Sequence, residues 1–269
     1  MNRNLFHMEF RKNLPALISW TVIISVLVAA TMAVFPLFLE NESKITGMMS
    51  IVPKELLQFK GVSNLNDYMS VLGFYAANNI IYMMVLGSIY SIVLASGIVL
   101  KEEYNKTAEY LLTRPLTRGD IFLTKLSVAS LNVFLLNMVT SLAGLVSLEL
   151  VKSEPFSMKS FLVLSFYTLL LNLLFGAIGL FLSVILRRSK PITTQCIGLV
   201  LVLYFIFTIA KISGSVSAIG YLSPFRYVNS DALRPAYTLE FWRLLYFIGI
   251  SVLLTIAAFR IYWRKDIYT

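Results

Sequence analysis

The chain has 269 residues, 58% of them hydrophobic and 14% charged, with a formal net charge of +9. Soluble domains carry about a quarter charged residues and under half apolar ones, so this composition excludes a single water-solvated globule and points to several membrane spans. Lys and Arg lie singly between apolar runs, which excludes a dense nucleic-acid patch, and one cysteine, Cys196, with one histidine, His7, excludes an intrachain disulfide and a His/Cys metal centre.

In chain order the charge-free runs are Leu14 to Leu39, Tyr68 to Leu100, Leu126 to Leu148, Ser160 to Leu186, Pro191 to Ala210, Ile212 to Phe225 and Leu244 to Phe259. A crossing helix needs roughly 20 apolar residues. The first five runs qualify, and the last reaches that length by taking in Leu239, Phe241 and Trp242, with Arg243 extending toward the headgroups. The expectation is an all-α polytopic protein, one domain over residues 1–269, with six spans at about 14–39, 75–100, 126–148, 161–186, 191–210 and 240–260. The first run is far longer than the 7 to 15 residues, roughly, of a signal-peptide core, so it reads as an uncleaved anchor. The Ile212 to Phe225 run is broken by Ser213-Gly214-Ser215 and Ser223-Pro224 and is too short to cross. It reads as a re-entrant or interfacial segment packed on the bundle, because non-helical backbone at membrane depth needs protein around it.

With the N-terminus inside, the inner segments hold fourteen Lys and Arg against nine outside, and net charges of +8 against +1. The excess of basic residues marks the cytoplasmic side, so both termini are expected there. No ionisable residue stands mid-span, which argues against a proton-coupled carrier. Nor is there a nucleophile with its base, or a carboxylate cluster, for an intramembrane enzyme. Uncharged polar residues within spans, among them Asn132, Asn137 and Asn172, read as helix-to-helix hydrogen bonding, and Gly87, Gly97, Gly176, Gly179 and Gly198 as close packing.

The segment between spans two and three carries the most information. From Lys101 to Leu112 nothing breaks a helix, so span two is expected to continue into the cytoplasm. Pro115 disfavours helix at Arg114 and stops it, and Thr117 with Asp120 three residues on has capping-box spacing and starts the helix feeding span three. Spacing alone leaves two readings open, a polar hairpin that joins two spans and a docking element for a cytoplasmic partner.

Glu102-Glu103, the later Thr107-x-Glu109, Leu111-Leu112 and Pro115-Leu116-Thr117-Arg118, followed by Ile121 and Lys125, resemble the signature loop of ABC-2 type transporter permeases, the membrane subunits of ATP-driven exporters. The sequence departs from that pattern at Lys106, where relatives have Gly, and at Ala108, where they have an aliphatic residue. The resemblance implies an N-terminal elbow helix along the inner leaflet, for which Met1 to Asn13 offers Phe6, Phe10 and the following Leu14 between Arg3, Arg11 and Lys12; an ordinary basic tail is the alternative. It also implies a coupling helix after span two and a re-entrant segment between spans five and six. Two permease halves, identical or related, would join two cytoplasmic ATPase subunits that hold ATP and Mg, with no cofactor on this chain. No G-x-x-x-x-G-K-[ST] pattern occurs, which agrees with an energy source on another polypeptide.

By the same resemblance, the ATPase would be contacted by Glu102, Glu103, Lys106, Thr107, Glu109, Leu112, Arg114, Pro115, Leu116, Thr117, Arg118 and Asp120. Arg187, Arg188 and Lys190 would form a second inner contact or, alternatively, an anchor for anionic lipid. Spans two and five would line the pathway, with Asn79, Tyr82, Met83, Tyr90, Phe205 and Thr208 as candidates. Such a Tyr, Phe and Met lining suits an amphipathic or hydrophobic cargo such as a lipid, peptide, antibiotic or drug. The expected location is a bacterial or archaeal cell membrane. A non-transporting membrane anchor or immunity protein of the same architecture is the alternative, and a membrane-embedded enzyme is disfavoured.

Overall fold

A computed structural model describes residues 3–41, 69–104, 117–152, 154–186, 192–212, 214–228 and 237–264. The elements are all helical: α1 (Arg3–Ala33), α2 (Phe35–Glu40), α3 (Val71–Tyr104), α4 (Arg118–Val151), α5 (Met158–Ile185), α6 (Ile192–Ile212), two 3-10 helices (Gly214–Leu222 and Pro224–Tyr227) and α7 (Phe241–Arg264). Among the described residues six helical stretches are long and apolar enough to cross a membrane, with α1 and α2 counted as one. They fall on the six predicted runs.

The differences lie at the ends. The terminal segment and the first span form a single helix, because no breaker stands before Pro15, and the chain continues as helix through that proline. Ser19 Oγ donates back to the Pro15 carbonyl at 2.9 Å. The fourth helix starts at Arg118, well ahead of the apolar run, because its cap is polar: the Thr117 side chain accepts from the Asp120 N–H at 3.1 Å. At the start of α5 the Ser157 hydroxyl does the same for the Ser160 N–H at 3.2 Å.

Helices α3 and α5 pack most extensively on each other and form the centre. Both are apolar nearly all round, as a helix with neighbours on several sides should be. Around that pair, α4 touches both, α1 lies against α4 and α3, α6 against α3, and α7 against α5. The buried stripe of α1 recurs every four residues at Leu5, Glu9, Asn13 and Leu17, then at Ile24, Val28 and Met32, which is the spacing of one helix face. Close approach at the centre is set by two glycines. A Cβ at Gly179 would lie 2.5 Å from the Ile92 carbonyl oxygen, and one at Gly87 would lie 2.5 Å from the Asn172 amide nitrogen. The other three glycines read as close packing, Gly97, Gly176 and Gly198, have open space where a Cβ would be.

Beyond α6 the first 3-10 helix doubles back on that helix. Ser223 Oγ donates to the Leu203 carbonyl at 2.7 Å, nine residues before the end of α6. Phe225 is fully buried among Phe175, Tyr204 and Phe207, with ring centroids 5.2, 5.5 and 6.5 Å away. Arg243 is paired with Glu240 at 2.8 Å and donates to the Tyr227 carbonyl at 3.3 Å. Tyr227 in turn stacks on Tyr246 at 3.7 Å, so the doubled-back segment is fastened to the start of α7.

Candidate functional site

The candidate site is the end of the bundle where α3 leaves it and α4 returns. The α3 helix runs on through Lys101, Glu102 and Glu103 to Tyr104, as the absence of breakers requires. Lys106, Thr107, Glu109, Leu112, Arg114, Pro115 and Leu116 lie outside the described residues, as do Arg187, Arg188 and Lys190. The described part of the hairpin is therefore its two stems.

On the returning stem, the Thr117 hydroxyl both accepts from the Asp120 N–H and donates to the Asp120 carboxylate at 2.6 Å, so the two residues of the predicted capping box close on each other. The next residues are held by α7. Arg118 donates to the Trp263 carbonyl at 3.4 Å, placing a positive charge at the C-terminal end of that helix, where the backbone dipole favours it. A Cβ on Gly119 would sit 3.3 Å from the Trp263 ring. Phe122, 2% exposed, lies with its ring centroid 5.3 Å from Phe259 and 5.6 Å from Tyr262. Arg118, Gly119 and Phe122, all in the first turns of α4, thus meet a helix some 140 positions away in the chain.

Below this grip Ala95 and Ile98 of α3, Val128 and Ala129 of α4, and Leu180 of α5 form a small apolar cluster, with Phe6 and Phe10 of α1 packed against it. Lys125 reaches into the same level. Counted by sequence among the inner loop charges, it is only 1% exposed, and its ammonium donates to the Ile98 carbonyl at 2.7 Å.

Higher in the bundle the polar residues join helices. Ser88 Oγ of α3 donates to Asn172 Oδ1 of α5 at 3.1 Å, and Asn172 Nδ2 donates to Asn137 Oδ1 of α4 at 3.0 Å. Asn137 Nδ2 finishes the chain of bonds on the Val133 carbonyl. In parallel, the Tyr90 hydroxyl donates to Asn132 Oδ1 at 3.5 Å. The helix-to-helix role was expected of Asn132, Asn137 and Asn172 but not of their partners Ser88 and Tyr90, the latter read as a pathway residue.

The candidate pathway residues with described side chains sit in different surroundings. Tyr90 faces α4 through Asn132 and meets Trp20 of α1 with ring centroids 6.1 Å apart. The buried Met83 sulfur accepts from the Tyr75 hydroxyl at 3.6 Å. Tyr82 is partly buried, Thr208 is buried, and Phe205 is 59% exposed on the outer face of α6. Asn79 lies within α3, with its side chain outside the described set.

A family described as ABC-2 family transporter protein matches residues 3–267, nearly the whole chain. No curated protein matches it.

Proposed function

We propose that this chain, which belongs to the ABC-2 family of transporter proteins, is the permease subunit of an ATP-driven exporter whose ATPase is a separate polypeptide. The observation that carries the reading is the pairing of a whole-chain family match with a charged hairpin whose two stems are built into the bundle at α3, α4 and α7. A hairpin that only joined two spans would need no such fastening. The segment from Lys101 to Asp120 holds four basic and four acidic residues, a mixture suited to a protein groove rather than to anionic lipid.

In this reading the hairpin, from Glu102 and Glu103 through Glu109 to Arg118 and Asp120, sits in a groove of the ATPase. Closure of the ATP-loaded ATPase dimer moves it as a lever. Arg187, Arg188 and Lys190 form a second inner contact. The partner holds ATP and Mg, and no step of hydrolysis falls to this chain. A second permease, identical or related, completes the pathway, and the exposed Phe205 face of α6 is available to it. Both termini are cytoplasmic in a bacterial or archaeal cell membrane, the segment from Ile212 to Phe225 re-enters from the outer side, and the cargo is amphipathic or hydrophobic.

The test is co-purification of the tagged chain from membranes. An ATPase with a Walker A motif, identified by mass spectrometry, should accompany the wild-type chain and be lost with Glu109→Arg. Retention of no such ATPase, the result expected of a membrane anchor, overturns the proposal.

A further inference from the structure

The contact made by Lys125 goes beyond what the hairpin reading requires. It stands about 10 Å along α4 from Arg118, a depth from which a lysine ordinarily extends back toward the headgroups. Its ammonium instead turns into the bundle and meets the Ile98 carbonyl, at the level of the cluster that Ile98 forms with Ala95, Val128, Ala129 and Leu180. Burial of an ammonium is costly unless its donors are satisfied. Joining two helices does not require a charge, as the neutral Ser88–Asn172 and Asn172–Asn137 bonds demonstrate. What the charge adds is strength, since a charged donor makes a hydrogen bond roughly twice as strong as a neutral one.

The place of that stronger bond is telling. Ile98 stands six residues before the last residue of α3, and Lys125 seven residues into α4, so the bond crosses the base of the hairpin from one stem to the other. About one and two turns nearer the tip, Phe122 and Arg118 fasten the α4 stem to α7.

We propose that Lys125 is a positioning residue: its ammonium pins the two hairpin stems together, so that a push on the hairpin moves α3 and α4, and α7 with them, as one body. The proposal rests on the coupling reading above. Without the pin the stems hinge separately, and the push is absorbed at the base of the hairpin.

Spin labels at Lys101→Cys and Leu123→Cys report the separation of the stems in the full chain in nanodiscs; Cys196 is fully buried and stays unlabelled. In the wild-type background one narrow distance population is expected, both without nucleotide and with the ATPase trapped by ATP and vanadate. Lys125→Met should raise the population of a second, longer distance about tenfold, the scale of losing a hydrogen bond to a charged group, and should depress stimulation of ATP hydrolysis. Lys125→Arg, which keeps a charged donor, should restore both. A single narrow population in folded Lys125→Met overturns the proposal. If that variant does not fold, Lys125→Gln is read in the same way, and failure of both neutral variants to fold overturns the proposal in favour of a purely structural lysine. Pinned wild-type stems that separate in the variant, with no ATPase responding to the chain, leave the pin standing and refute the coupling reading.

Discussion

Replacing Gly179 by Ala probes the contact that sets the spacing of the two central helices. The added Cβ would lie 2.5 Å from the Ile92 carbonyl oxygen, against an ordinary carbon-to-oxygen contact of about 3.3 Å, so α3 and α5 must part by about 0.8 Å there. Backbone cannot turn aside as the end of a side chain does. A gap of that order forfeits roughly a quarter to a half of the dispersion attraction of the contacts it opens, and overpacking of this kind costs about 1–3 kcal/mol. Helix propensity works in the other direction, because Ala is better than Gly by about 1 kcal/mol in a helix interior. The control is on the same helix: Gly176→Ala gains the same propensity and meets open space. The difference between the two variants is therefore the steric term alone. Unfolding in mixed micelles, followed by near-UV circular dichroism, should show Gly179→Ala less stable than Gly176→Ala by about 1–3 kcal/mol. Equal stabilities would refute the close α3–α5 contact.

Other outcomes follow from the same contacts. Asn172→Leu removes the link between Ser88 and Asn137 and should lower stability by about 1–2 kcal/mol in the same unfolding assay, with a smaller loss for Ser88→Ala. Thr117→Ala removes the acceptor of the Asp120 N–H; it should cost about 1 kcal/mol locally and speed hydrogen exchange at Asp120, while Thr117→Ser leaves both near the wild-type value. Phe122→Ala empties the space between Phe259 and Tyr262 and should cost about 3 kcal/mol, with the emission of the neighbouring Trp263 altered as α7 loosens from α4.

The six spans were legible because a run of some twenty apolar residues has few other uses, and the start of α4 because Thr117 and Asp120 stand at the spacing that closes a cap. The break after the fifth span was legible in Gly214 and Pro224, where the 3-10 helices begin. Partners were not legible. Nothing local says that Arg118 meets Trp263 or that Asn172 bridges two other helices, since these pairings exist only once the helices pack. Nor was the partner of Lys125 legible: a lysine just before an apolar run counts toward sidedness whether it faces water or, as here, an α3 carbonyl. The glycines divide in the same way. Gly179 and Gly176 are alike in sequence and one turn apart on the same helix, yet one is pressed on the α3 backbone and the other is open. The hairpin tip, with Glu109 and Pro115, and the Arg187 to Lys190 loop lie outside the described residues, so their roles stand on the family resemblance and on the test of the complex.

That test is the rate of ATP hydrolysis by the co-purified ATPase in proteoliposomes, measured with this chain, without it, and with the Glu109→Arg variant. The account predicts vanadate-sensitive hydrolysis that rises several-fold with the wild-type chain and falls back with the variant. A rate indifferent to the chain, or a wild-type chain that retains no ATPase at all, would contradict it.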